Sequence, residues 1–224
     1  MASVLVACLV AQEETWLPRF LDRLSRLNYP KLRYAFVVGE RIPMLQRWAN
    51  HRWAEDKAKT WIKESDTKGF TDRFERLAYL RNVVVEKANI VEDYVFWIDC
   101  DVIEFQPNLI QELMRHNVSV VAPSVYIEAT NQFYDTFAFR YLNEAKFQAF
   151  GSHPPAGLLE VHSVGTCYLV HSSLYNQSRV RYHGGDSEQV TFCTEARNVG
   201  GRVYVDFSLR IEHANLPNYG VAWH

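Results

Sequence analysis

Two acids one residue apart, Asp99 and Asp101 in YVFWIDCDVIEF, are the best-placed candidates for chemistry in this chain. They follow Tyr94, Val95, Phe96, Trp97 and Ile98, a run that reads as a fully buried strand. An unpartnered carboxylate there costs several kcal/mol, so the strand end must offer something in return. That is a cation, a phosphorylated substrate held through a cation, or a turn that the side chain caps. Divalent ions of the Mg2+ or Mn2+ kind take oxygen ligands, few of them from protein, and leave the rest to water and phosphates. One acid can bind such an ion directly and the other through water or a ribose hydroxyl. His213, in LRIEHAN, is the candidate further ligand, and an imidazole beside carboxylates moves the preference from Mg2+ towards Mn2+. The structural alternative is a capping Asp99, a solvated Asp101 and a histidine half-exposed at a strand end.

Further polar residues sit at element boundaries. In GGDSEQVTFC, Asp186 and Glu188 stand where a helix begins, and Asp186 or Ser187 would serve as its N-cap. Gly165 and Thr166 lie between strand-like runs, where a backbone can approach a ligand closely. His51, His116, His153, His162, His171 and His183 lack ligand spacing, and no Gly-rich phosphate loop is present.

The elements that must position these groups are legible as patterns. Residues 3–10, SVLVACLV, form a continuous apolar strand of the kind covered on both faces by helices. Thr15 can cap a helix with Leu17, Phe20, Leu21, Leu24 and Leu27 on one side, and RYAFVVGE is a second strand. Residues 43–68 are polar and Trp-rich with weak periodicity, and a firmer helix covers about 72–88. A helix from Pro107 to His116 and a strand SVVAP close a β-α-β-α-β-α-β series, which predicts an α/β fold with a mainly parallel sheet. The second half reads as aromatic and irregular over 124–150, strand-like over 158–170, helical over 187–198, and then two short strands, RVYVD and LRIEH. Such sheets bind ligands beyond the carboxyl ends of their strands, which is where Asp99 and Asp101 fall.

Size and composition fit one domain: 224 residues, 48% hydrophobic, with a formal net charge of -2. That charge supplies no field for nucleic acid or an anionic membrane. Nine Lys/Arg against six Asp/Glu over residues 41–76 make a local basic stretch, read as a solvated helical face or a phosphate-facing one. Four scattered cysteines read as reduced, the opening apolar run lacks a signal peptide's basic flank, and no run reaches the ~20 residues of a membrane span. The expectation is a soluble, cytoplasmic protein with no stable membrane insertion.

RFERLAYLRNVVVEKA before the D-x-D strand resembles nucleotide-sugar glycosyltransferases of the GT-A fold. More closely, RLAYLRN, YVFWIDCDVIEFQPNLIQELM, SVVAP, EVHSVGTCYLVHSSL and SEQVTFCTEARNVGGRVYV are similar to the fungal mannan-polymerase subunits, which are retaining and metal-dependent. The similarity runs over roughly residues 76–213, and those subunits' membrane anchor has no counterpart in it. It implies one GT-A domain, with 1–123 as the nucleotide-binding half and 124–224 as the donor-sugar and acceptor half. It implies a Mn2+ or Mg2+ ion on Asp101 and His213, with Asp99 on the ion's water or the ribose. Ala11, Gln12, Glu13 and Glu40 would line the base and ribose of a UDP- or GDP-sugar. Arg76, Arg81 and Asn82 would meet phosphate or sugar oxygens, and Gly165 and Thr166 would approach the sugar.

The family register puts Glu188 on the first acid of an inverting pair and Gln189 on the second. An amide is no general base, which favours retention, with Glu188 orienting hydroxyls and Asp186 as fallback base. The acceptor is left open: glycan, protein, lipid or hydroxylated nucleobase. Two rivals stand beside this reading: a non-catalytic nucleotide-sugar or glycan-binding module, and a haloacid-dehalogenase-type phosphatase. Ile103 argues against the latter, which wants Thr or Val at that place.

Overall fold

A computed structural model describes residues 1–12, 14–52, 60–65, 67, 69–146 and 155–215. Glu13, Trp53 and His153 lie outside the described residues. The chain order is β1 (Val4–Val10), α1 (Leu17–Ser25), β2 (Leu32–Val38), α2 (Pro43–Arg52), β3 (Thr60–Glu64), α3 (Arg73–Lys87), β4 (Tyr94–Ile98) and β5 (Val102–Glu104). Then come α4 (Leu109–Met114), β6 (Val120–Ile127), β7 (Leu158–Glu160), β8 (Cys167–His171), α5 (Ser173–Asn176), α6 (Glu188–Asn198) and β9 (Val203–His213).

The strands form one sheet in the order β3-β2-β1-β4-β8-β6-β9-β5, with β7 on β9. β1 shows why the apolar run is continuous. Its odd residues Leu5, Ala7 and Leu9 pack on one face with Leu77 and Val84 of α3 and Phe192 of α6. Its even residues Val4, Val6, Cys8 and Val10 pack on the other with Phe20 and Leu24 of α1 and Leu109 of α4. Each fully buried side chain of this size contributes about 1.5–3 kcal/mol, so two-sided burial holds the strand in the sheet's middle.

β2, β1 and β4 are parallel, as expected, and β3 extends the row parallel to β2. β6 does not continue that row. β8 inserts between β4 and β6, antiparallel to both, so a strand of the second half completes the sheet of the first. RVYVD and LRIEH are one strand, β9, which stays beside β6 across a register shift between Pro123 and Ser124. β3 and β5 escaped the sequence reading, being short and half-polar. Two capping expectations are also corrected. The N-cap of α1 is Trp16, without a side-chain bond, rather than Thr15. Pro107 precedes α4 instead of opening it, and its carbonyl accepts the Asn28 N–H at 2.9 Å. α3 is capped as its sequence suggests, Asp72 accepting from the Glu75 N–H at 2.7 Å. The result is a set of strand ends, β1, β4 and the lead-in to β8, that open on one cleft.

Candidate active site

β4 delivers its acids to the cleft. Trp97 and Ile98 are buried in opposite faces of the sheet, and the chain turns at Asp99, whose N–H donates to the Thr166 carbonyl at 2.9 Å. Asp101 Oδ2 lies 2.9 Å from His213 Nε2. The last residue of β9 therefore reaches the D-x-D, 112 positions away in the chain, because β5 pairs Val102 with His213. The Ala214 N–H donates to the Asp101 carbonyl at 2.8 Å and locks this end.

The imidazole is oriented on three sides. Its Nδ1 lies 2.8 Å from the Ala214 carbonyl, which fixes the proton there and leaves Nε2 facing Asp101. Tyr134 stacks on the ring with centroids 3.6 Å apart. An imidazole lone pair and a carboxylate oxygen at that separation need a proton or a cation between them. Burial works to lower the His213 pKa, but the Asp101 charge and hydrogen bond overcome it and raise it above the ordinary histidine value. Asp101, although burial disfavours its charge, is held below the usual carboxylate range by His213. Its second oxygen, Oδ1, is buried without a hydrogen-bond partner. The pair thus offers one nitrogen, one oxygen and an unsatisfied oxygen, with the other imidazole nitrogen on a carbonyl as in many metal-ligating histidines. Among the described residues no three His, Cys, Asp or Glu side chains converge on one point. A divalent ion that takes few protein ligands and fills its shell with phosphate and water fits this set.

Asp99 is turned elsewhere. Arg81, on α3, donates to Asp99 Oδ1 at 3.1 Å and to Glu188 Oε1 at 3.0 Å. The guanidinium is 2% exposed and lies over the Trp97 ring, 4.9 Å from its centroid. This corrects the expectation of an arginine free to meet phosphates: its charge is spent on two carboxylates. Burial raises the Asp99 pKa to about 6 against the pull of Arg81. Glu188, the first residue of α6, is buried, and its Oε2 has no hydrogen-bond partner. It lines the same cleft as Asp99 and Asp101.

Other expected residues fall away from the cleft wall. Asn82 is consumed structurally, its amide clamping the Tyr182 backbone through bonds of 2.8 and 3.0 Å. Arg76 is buried on α3 but does not line the cleft, whereas Arg73, one turn earlier, does. Asp186 is exposed and neither lines the cleft nor caps α6, because Ser187 accepts the Gln189 N–H at 3.3 Å. Ala11 and Gly39 meet where β1 and β2 end, so Glu40 and Gln12 share that rim, exposed, and outside the cleft lining.

Thr166 lines the cleft in a left-handed conformation, φ +54°, uncommon for a branched residue and a form of strain that concentrates at functional sites. Gly165 is needed for room: a Cβ there would run into the Ala138 Cβ and lie 3.0 Å from Asp135 Oδ1. Gly165→Ala is expected to cost about 1–3 kcal/mol and displace segment 135–138, read as a lower Tm and weaker nucleotide binding. Asp135 is a site residue that sequence reasoning missed, and Tyr134 was read only as one ring of an aromatic stretch that could stack sugars or bases or pack in the core. The signal was an acid inside the aromatic run FYDTFAF, where only the rings were weighed.

A family model, glycosyltransferase family 25, N-terminal domain, matches residues 1–142, more than half of the sequence. The chain belongs to glycosyltransferase family 25. The relatives it matches are distant. Procollagen galactosyltransferase 1 of Danio rerio is 27% identical over 188 residues, 76% of this chain and 31% of that protein. The procollagen-lysine,2-oxoglutarate 5-dioxygenase of Drosophila melanogaster is 24% identical over 218 residues, covering 92% and 29%. The chain thus spans about a third of these relatives' length. Among solved structures, S. aureus TarS 1-349 in complex with UDP-GlcNAc superposes with a TM-score of 0.65 at 12% identity, over 99% of this chain and 61% of that one. GalNAc-T7 with UDP, GalNAc and Mn2+ gives 0.64 at 11%, covering 99% and 46%. A mannosyltransferase from Pyrobaculum calidifontis with GDP-Man and Mn2+ gives 0.61 at 13%, covering 98% and 58%. This family 25 domain therefore has the GT-A fold, and the phosphatase alternative is set aside.

Proposed function

We propose that this family 25 chain transfers a sugar from a nucleoside diphosphate to a hydroxyl acceptor, with Mn2+ or Mg2+ held by Asp101 and His213. The observation that carries this is the Asp101–His213 contact at 2.9 Å, with Asp101 Oδ1 buried and unsatisfied beside it. The ion, when bound, supplies Lewis-acid stabilisation of charge on the departing diphosphate. The protein does the rest. Asp101 and His213 locate the diphosphate end of the donor, Tyr134 and Ala214 keep the imidazole in place, and Arg81 holds Asp99 and Glu188 at fixed points of the cleft. Glu188 Oε2 receives a donor-sugar hydroxyl.

The relatives' names make galactose the first sugar to test and a protein hydroxyl the first acceptor, and the solved neighbours carry UDP- and GDP-linked sugars. The four cysteines are unpaired, and no described helix is long and apolar enough to cross a membrane.

The mannan-polymerase resemblance implies retention, in which the leaving diphosphate itself takes the acceptor's proton. Inversion needs a side-chain base, and the buried Asp135 favours this second course. Adding UDP, GDP, UDP-galactose, UDP-glucose and GDP-mannose with Mn2+ to a thermal melt tests the main reading. A ligand at a hundredfold its Kd stabilises by ~2.7 kcal/mol, so at least one should raise Tm by roughly 5–10 °C. No shift with any of them, with or without metal, would remove the reading. Turnover of the bound donor separates an enzyme from a binding module.

A further inference from the structure

Four carboxyl groups line the cleft, and three already have cationic partners. Asp99 and Glu188 share Arg81, and Asp101 faces His213. The fourth, Asp135, accepts the Gly165 N–H at 2.8 Å and the Thr166 hydroxyl at 3.4 Å. Among the described residues it makes no ion pair. Its neighbour Tyr134 is the ring stacked on His213, so two consecutive residues tie this segment to the metal-binding end and to the lead-in of β8.

We propose that Asp135 is the base that takes the acceptor's proton. This rests on the transferase reading above. In the step, the acceptor oxygen bonds to the sugar's anomeric carbon and the bond from that carbon to the diphosphate oxygen breaks. The bonding pair leaves with the diphosphate. The hydroxyl proton passes to the Asp135 carboxylate and then to water.

Gln189, which the resemblance sets at the second acid of an inverting pair, accepts a hydrogen bond from the Ser187 hydroxyl at 2.6 Å and has no basic oxygen to offer. Asp135 has what the position lacks. Burial raises its pKa to about 7; the Gly165 N–H and Thr166 hydroxyl pull the other way, the Asp99 charge adds to the rise, and Arg140 opposes it. Cys167 of β8 and Cys193 of α6 also face it, both with thiols raised by burial and therefore uncharged at neutral pH. A carboxyl balanced near neutrality is where general-base catalysis works best. Phe137, two residues on, is 57% exposed and lines the same cleft, a ring on which the apolar face of an acceptor can lie.

The test uses the whole chain with Mn2+, UDP-α-galactose and water as acceptor. The first-formed galactose, followed by proton NMR, should be the β anomer, and the rate should climb with pH and level off above about 7. Asp135→Asn keeps an oxygen for the Gly165 N–H, so Tm and UDP affinity should hold while turnover falls about 10²–10⁴-fold and the pH rise disappears. An α first product, or an Asn variant within twofold of wild type, overturns the proposal. A carbon-13 titration of the Asp135 carboxyl, assigned by its loss in the variant, tests it without turnover. A midpoint near 7 supports it, and one near the ordinary ~4 overturns it. Failure of the wild type to bind UDP at all would instead overturn the transferase reading, and the proposal with it.

Discussion

Asp101→Ala should abolish Mn2+ binding at this site and lower donor turnover by at least about 10²–10³-fold, while free UDP still reaches the cleft weakly. The expectation follows from how little the protein invests in the ion: one carboxylate and one imidazole, with Asp99 committed to Arg81. Removing one of two ligands leaves no second carboxylate ready to replace it. His213→Ala should behave alike, and the double variant should add almost nothing to either, because both act on one ion. Titration calorimetry with Mn2+ in the presence of UDP reads the loss directly. Wild-type affinity in Asp101→Ala would end the metal assignment.

The same pair dictates how metal affinity varies with pH. A proton on His213 occupies the place of the ion, and the His213 pKa is raised above its ordinary 6.5, so Mn2+ affinity should rise with pH through that elevated value. Without metal the sign for stability reverses. The raised imidazole contributes stability that is full below 6.5 and lost as pH rises through its folded value. The depressed Asp101 contributes stability present above its ordinary 3.8 and lost as pH falls through its folded value. Apo protein is thus held best between these limits, and metal extends that range upward.

Much of this site was legible because local pattern determines strand ends. Five apolar residues carry the chain to Asp99 and stop, so the acids had to emerge at the sheet's carboxyl edge. His213 was legible for the same reason, as the end of LRIEH. What pattern does not carry is which distant segments meet. β8 inserts antiparallel between β4 and β6 because Cys167 and Leu169 fill one face of the sheet and Tyr168 and Val170 the other. A sequence period of two describes that strand without naming its neighbours. Asp135 meets Gly165 across 30 positions, and only that meeting turns an acid in an aromatic run into a cleft residue. Asn82 and Asp186 failed for the converse reason: both types suit a donor site, but one faces a backbone and the other solvent.

Arg81→Met should be the most destabilising single change among the site residues. The reading of Arg81 as an arginine facing phosphate or sugar oxygens misjudged it because helical spacing does not reveal that α6 and β4 close over it. Glu188, fully buried, and Asp99, part-buried, both depend on its guanidinium. Taking away the cation leaves two negative charges in a cleft with no other cation bonded to them among the described residues. Breaking a buried pair in this way costs about 3–5 kcal/mol, which in a chain of this size lowers Tm by roughly 6–20 °C. The loss should ease as pH falls, since protonating Asp99 removes part of the uncompensated charge. Asp99 would rise above its present value of about 6, because burial would then act without Arg81 to oppose it. Arg81→Lys keeps a charge but loses the fork that reaches both acids, so it should fall between the two. Adding Glu188→Gln to Arg81→Met should restore part of the stability, a coupling read by a double-mutant cycle in urea. If Arg81→Met lost less than about 1 kcal/mol and showed no pH dependence, the buried charge would be no keystone of this cleft. The positions assigned to Asp99 and Glu188 would then need another support.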